Sequence, residues 1–141
     1  RIPGRPIPKG RPKFNRYTGK ARTPERTKRF EKYVALKGRM ALASQGHLEP
    51  LSGGIGLRLT FLFARPLQIP KSHRLSGHPD RLPLSTGGGW PDLSNLVKSV
   101  EDGLQGVIFI DDRQVCYLEA SKAYCAETED DGVLVEVWRI E

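Results

Sequence analysis

The chain has 141 residues, 38% of them hydrophobic, which suits one domain with a modest core. Its +7 charge is uneven: residues 1–49 hold 14 Lys/Arg and 3 acids, whereas residues 50–141 hold 9 and 13. No apolar run approaches a membrane span, no secretory signal pattern opens the chain, and two cysteines make no disulfide framework.

The start at Arg1 rather than Met is what a trimmed chain would show. Cys116 and Cys125 are oddly spaced, so one strand would put them on opposite faces. Their number fits a reducing cytoplasm. The basic front calls for a polyanionic partner. The acidic remainder would repel that partner unless some of its carboxylates hold cations.

Residues 2–8 contain three prolines and can form only extended or edge structure. Next comes an acid-free basic opening with Lys9, Arg11, Lys13, Arg16, Lys20 and Arg22, interleaved with Phe14 and Tyr17. Cations can track phosphates and rings can stack on bases. A flexible basic tail reads the same way. Thr23-Pro24-Glu25 is a helix start with Thr23 as cap. The helix should run to about Ser44 and stop at Gln45-Gly46. Phe30, Tyr33, Val34, Met40 and Ala41 would give its inner face, while Arg26, Lys28, Arg29, Lys32 and Arg39 carry charge.

Residues 54–63 alternate, with Ile55, Leu57, Leu59, Phe61 and Phe63 on one face, and predict a strand closed by Arg65-Pro66. Residues 68–90 form a long polar connection with His73, His78 and Gly87-Gly88-Gly89. No Walker lysine follows the glycines, so a P-loop is excluded. The three histidines, His47 included, have no partners suited to zinc. Trp90 reads as a packing residue.

The central stretch, residues 91–115, holds most of the chemistry. Leu93, Leu96, Val97, Val100 and Leu104 form one helical stripe, leaving Ser94, Asn95, Lys98, Glu101, Asp102 and Gln105 outside. Asp92 stands at the helix start, Gly103 and Gly106 at its end. Residues 107–110 predict a short buried strand, with Asp111 and Asp112 at its mouth. Acids from a helix start and a strand end, with a lysine nearby, could hold magnesium for phosphate chemistry. Alternatively Asp92 is a cap and Asp111-Asp112 a polar turn, and spacing alone favours that plainer account. Residues 115–125 and 132–140 predict two strands joined as a hairpin through residues 129–132. The whole is a single α+β domain, residues 1–141, with two main helices and a mixed or mostly antiparallel sheet.

The chain resembles the RusA family of Holliday-junction resolvases over nearly its whole length. The residues that carry the resemblance are Gly4-Arg-Pro-Ile-Pro-Lys-Gly-Arg-Pro-Lys13 with Thr23-Pro-Glu-Arg-Thr27, then Pro91-Asp-Leu-Ser-Asn-Leu-Val-Lys98, then Asp111-Asp112-x-Gln114-Val115. The resemblance implies a homodimeric, magnesium-dependent (or manganese-dependent) endonuclease of phages and bacteria. It would cut four-way DNA junctions symmetrically. It implies metal-ligand roles for Asp92 and Asp112, a catalytic role for Lys98 and a supporting one for Asp111, which is a further candidate ligand of the metal. The basic set, with Arg26 and Lys28, would hold DNA. The family carries a second carboxylate where Ser94 stands here, and Glu101 or Asp102 are the acids that could supply it. The alternative is a module that binds junctions without cutting. A basic ribonucleoprotein component is disfavoured by the acidic centre.

Overall fold

The computed structural model describes residues 1–64, 91–125 and 130–141. The 68–90 connection, the Arg65-Pro66 strand end and, of the 129–132 turn, Glu129 lie outside the described residues. The elements in order are β1 (Ile2–Pro3), β2 (Lys13–Phe14), β3 (Ala21–Arg22), α1 (Glu25–Ser44), β4 (Ile55–Phe63), α2 (Leu93–Leu104), a 3-10 turn (Asp112–Gln114), β5 (Val115–Tyr124) and β6 (Gly132–Arg139). None of the described helices is long and apolar enough to cross a membrane.

The expected α+β domain is present, and its sheet is mixed. The strand order is β1-β6-β4-β5; β4 runs parallel to β5 and antiparallel to β6. The expected β5–β6 hairpin does not form. The most apolar strand, β4, sits between them, where both of its edges find partner strands. Ile55, Leu57, Leu59 and Phe61 are fully buried under the helices, and Leu62 is buried on the opposite side. At the end of β4, Asp131 before β6 accepts a hydrogen bond from the Ala64 amide and Cys125 after β5 donates to the Phe63 carbonyl. The proline-rich start behaves as expected: β1 is an edge strand, pairing Ile2 with Val133.

Both helices pack on one face of the sheet. Phe30 and Val34 of α1 and Leu96, Val100 and Leu104 of α2 join the core of β4. The inner face of α1 is narrower than expected, with Met40 and Ala41 exposed and Thr27 and Gly38 buried instead. Helix α1 begins after Pro24 without a side-chain cap, so Thr23 does not cap it. Gly103 does not end α2. It lies inside the helix, where a β-carbon would come within 2.7 Å of Val34 Cβ. Gly106, at φ +78, does follow the helix end. Residues 107–110 are no strand; only isolated bridges at Phe109 form. They make a turn whose Val107, Ile108 and Phe109 plug the core, while Ile110 is exposed.

Candidate active site

Three short segments meet on the outer face of α2. The first is the proline-rich opening, fastened by backbone and side-chain bonds. The Lys9 amide donates to the Asn95 carbonyl at 2.8 Å, and the buried Ser99 hydroxyl donates to the Ile7 carbonyl at 2.6 Å. The second is the start of α2, where Lys122 of β5 donates to the Pro91 carbonyl at 3.0 Å. The third is the 3-10 turn with its two aspartates.

Gln114 explains why that turn needs glutamine. Its side-chain oxygen accepts from the Ile110 and Asp111 amides at 2.8 and 3.1 Å. Its side-chain nitrogen donates to the Leu51 and Gly53 carbonyls, both at 3.0 Å. One amide thus uses all four hydrogen-bonding positions to fix the aspartates against the entry to β4.

The two aspartates then diverge. Asp111 caps the turn: Oδ1 accepts from the Arg113 amide and Nε, and Oδ2 from its second guanidinium nitrogen. These bonds hold the Asp111 carboxyl far below the usual carboxylate range. Asp112 instead faces α2, with Oδ2 3.3 Å from Lys98 Nζ. Lys98 is also 3.3 Å from Asp102 Oδ1, one turn further along the helix. Asp102 Oδ2 lies 2.8 Å from Lys9 Nζ, and Lys9 is 2.6 Å from Glu31 of α1. The result is an alternating chain of charge, Glu31–Lys9–Asp102–Lys98–Asp112, that joins α1, the opening, α2 and the turn.

The electrostatics follow from that alternation. Burial opposes the charge of Lys98, but Asp102 and Asp112 outweigh it and hold its pKa above the usual lysine value. Burial likewise opposes the charge of Asp102, and Lys9 and Lys98 outweigh it, so its pKa is lowered. Lys9 is raised for the same reason as Lys98. Glu101 goes the other way: burial pushes its pKa up, and Asp112 and Asp102 add to the push against the relief from Lys98.

Asp92 is not the cap that its position suggests. It makes no capping bond to the helix backbone, and among the described residues its exposed carboxylate receives only the Asn95 side-chain nitrogen at 3.4 Å. Ser94 is exposed beside it. Among the described residues no group of three or more His, Cys, Asp or Glu is gathered to hold an ion. Of the predicted phosphate contacts, Arg11, Lys13, Arg16, Lys20, Arg22 and Arg26 are exposed and Lys28 is half-buried. Lys9 is spent on the acids just described. Glu31 and Lys122 were not candidates from sequence. Their partners lie 22 and 31 residues away, and no local pattern announces them.

The profile described as Endodeoxyribonuclease RusA matches residues 3–137. An uncharacterised protein of Bacillus subtilis (strain 168), YqaN, is 31% identical over 137 residues, spanning 95% of this chain and 92% of that protein. The match runs from β1 through nearly all of β6, taking in the opening, both central motifs and the charge chain that links them. On that coverage the chain belongs to the RusA endodeoxyribonuclease family.

Proposed function

We propose that this protein is a metal-dependent endonuclease that resolves four-way DNA junctions by paired, symmetric cleavage. The observation that carries the reading is Lys98, held between Asp112 and Asp102 on α2, with Asp92 exposed and making no capping bond at the start of the same helix. The donor set suits magnesium, which takes one or two carboxylates and fills its remaining positions with water and phosphate oxygens. Asp92 and Asp112 would hold the ion. It would supply a polarised phosphate and an acidified water.

The chain's own residues do the rest. Lys98 turns from Asp112 to a phosphate oxygen and offsets the charge that develops there. Asp102, one turn along, keeps Lys98 aimed. Gln114 and the Arg113-locked Asp111 keep the Asp112 backbone still, so Asp111 supports the site rather than binding the ion. The exposed cations of residues 11–26 hold the phosphates of the arms. A two-fold dimer would present two such sites to two strands.

A second reading, a module that binds junctions without cutting, is favoured by one feature. Ser94 brings no carboxylate, and Asp102, one candidate replacement, is already paired with two lysines.

The test is a labelled immobile four-way junction incubated with magnesium, manganese or chelator, with linear duplex as control. Paired nicks that require metal and vanish in Asp112→Asn support the nuclease. A retarded but intact junction supports the binding module. Ser94→Asp then asks whether one carboxylate brings cutting back.

A further inference from the structure

The basic opening folds into a small hairpin, and its tip is built rather than loose. Strands β2 and β3 pair Lys13 with Arg22 and Phe14 with Ala21. Inside the turn, the Asn15 side-chain oxygen accepts from the Tyr17 and Thr18 amides at 2.9 and 3.3 Å. The Asn15 amide donates to Lys20 and the Gly19 amide donates to Asn15, both at 2.9 Å. This fixed turn holds Tyr17 almost wholly in solvent, 99% exposed, and Phe14 of β2 is 67% exposed. Neither ring serves the core. The two rings line one hollow of about 630 Å³ between the hairpin and the start of α1 together with Lys13, Arg16, Arg22 and Glu25, whose carboxylate lies 3.8 Å from Arg22.

Cations alone would grip any DNA in proportion to its phosphates, whether branched or not. Rings require something different: a base face that is open to them. In an intact duplex every base is stacked between neighbours, and its faces are closed. At a branch point the stack is interrupted, and a nucleotide can be drawn out. The hollow offers rings for such a base and cations for the phosphate attached to it, and its volume lies in the ~300–1,000 Å³ range of small-molecule sites.

We propose that the β2–β3 hairpin reads the branch itself: Tyr17, with Phe14 lining the same hollow, stacks on an unpaired base, and Lys13, Arg16 and Arg22 hold its phosphate. This rests on the junction reading above and deepens it, dividing the interface into a part that senses charge and a part that senses strand structure. The turn is already ordered, so little freedom is lost when the base arrives.

The experiment uses the full chain in chelator, so that binding is measured without cleavage. The probes are a four-way junction with 2-aminopurine at the crossover and a duplex of equal length with the same label. Base–ring stacking corresponds to roughly tenfold to a hundredfold in affinity. Tyr17→Ala is expected to lose about that much on the junction and to leave duplex affinity and the salt slope unchanged. The label in the bound junction should brighten relative to the wild-type complex. Tyr17→Phe should restore both readouts. Arg16→Ala should act the other way, weakening junction and duplex alike and lowering the salt slope by about one. Unchanged junction preference and label intensity in Tyr17→Ala would overturn the proposal while leaving the junction reading standing. A wild-type protein with no preference for the junction would overturn both. A change in sedimentation of free Tyr17→Ala would reassign the hairpin to subunit contact and overturn the proposal too.

Discussion

Replacing Gly103 with alanine sets helix propensity against packing, and the structure decides the sign. Within a helix, glycine to alanine is worth about 1 kcal/mol in favour of the variant. The added β-carbon, however, would lie 2.7 Å from Val34 Cβ, 2.8 Å from Val34 Cγ1 and 2.9 Å from the Glu31 carbonyl oxygen. None of these is the loose end of a flexible side chain. Two belong to the stem of a fully buried valine and one to the backbone of α1. Overpacking of this kind costs ~1–3 kcal/mol, and contacts with such fixed atoms belong at the upper end. The net expectation is a loss of about 1–2 kcal/mol, or a fall in Tm of roughly 3–8 °C for a chain of this length. Urea unfolding should show a lower midpoint at constant slope. Because the Glu31 backbone must retreat, the Lys9 bridge between Glu31 and Asp102 should loosen, and cleavage should fall with stability. Val34→Ala in the same background should return part of the loss, a coupling of about 1 kcal/mol. Gly103→Ala as stable as the wild type, or additive with Val34→Ala, would refute this account of the α1–α2 contact.

Three further outcomes are expected. Gln114→Glu keeps the two acceptor bonds and loses the two donors, turning a charge toward the Leu51 and Gly53 carbonyls. It should lower stability by about 2–3 kcal/mol in urea titration, and junction cleavage more than junction binding, because Asp112 loses its anchorage. Lys9→Gln should cost ~1–2 kcal/mol by leaving Glu31 and Asp102 without their shared cation, yet leave the salt slope of DNA binding unchanged. A slope reduced by one would return Lys9 to the DNA surface. Glu101, whose pKa burial and Asp112 push upward, binds its proton more tightly folded than unfolded. Its contribution to stability therefore falls as pH rises through the usual glutamate value. Glu101→Gln should thus be more stable than the wild type near neutrality. The difference should vanish below about pH 4, and a gain that persists there would contradict the sign.

Where the sequence pattern was read correctly, it was local. The stripe from Leu93 to Leu104 and the alternation from Ile55 to Phe63 report one element each, and both elements formed. Errors arose where distant residues decide. The acidic glycine turn before Gly132 signals a hairpin, but the apolar β4 wins the place between β5 and β6. Residues 107–110 read as a strand because a short apolar run does not distinguish a strand from a buried turn. The candidate site shows the same division. Lys98 and Asp112 stand out in the sequence, and the structure brings them within 3.3 Å of each other. That Lys9 joins Asp102 instead of facing solvent depends on a contact across 93 positions (9 to 102), whereas the pairing of Asp111 with Arg113, two residues on, is local.

The placing of β4 also sets an order in time. Its two neighbours in the sheet, β5 and β6, are both synthesised after it, and β5 must be reached across α2. Until Gly132–Arg139 has emerged, a strand with five inward apolar residues has one edge without hydrogen-bonding partners. Pairings this distant in sequence make for slow folding, on the millisecond-to-second scale of sheet proteins. Chains cut short before Gly132 should therefore aggregate rather than persist as smaller working domains. The last strand acts as the latch, joining the first residues of the chain to the centre of the sheet.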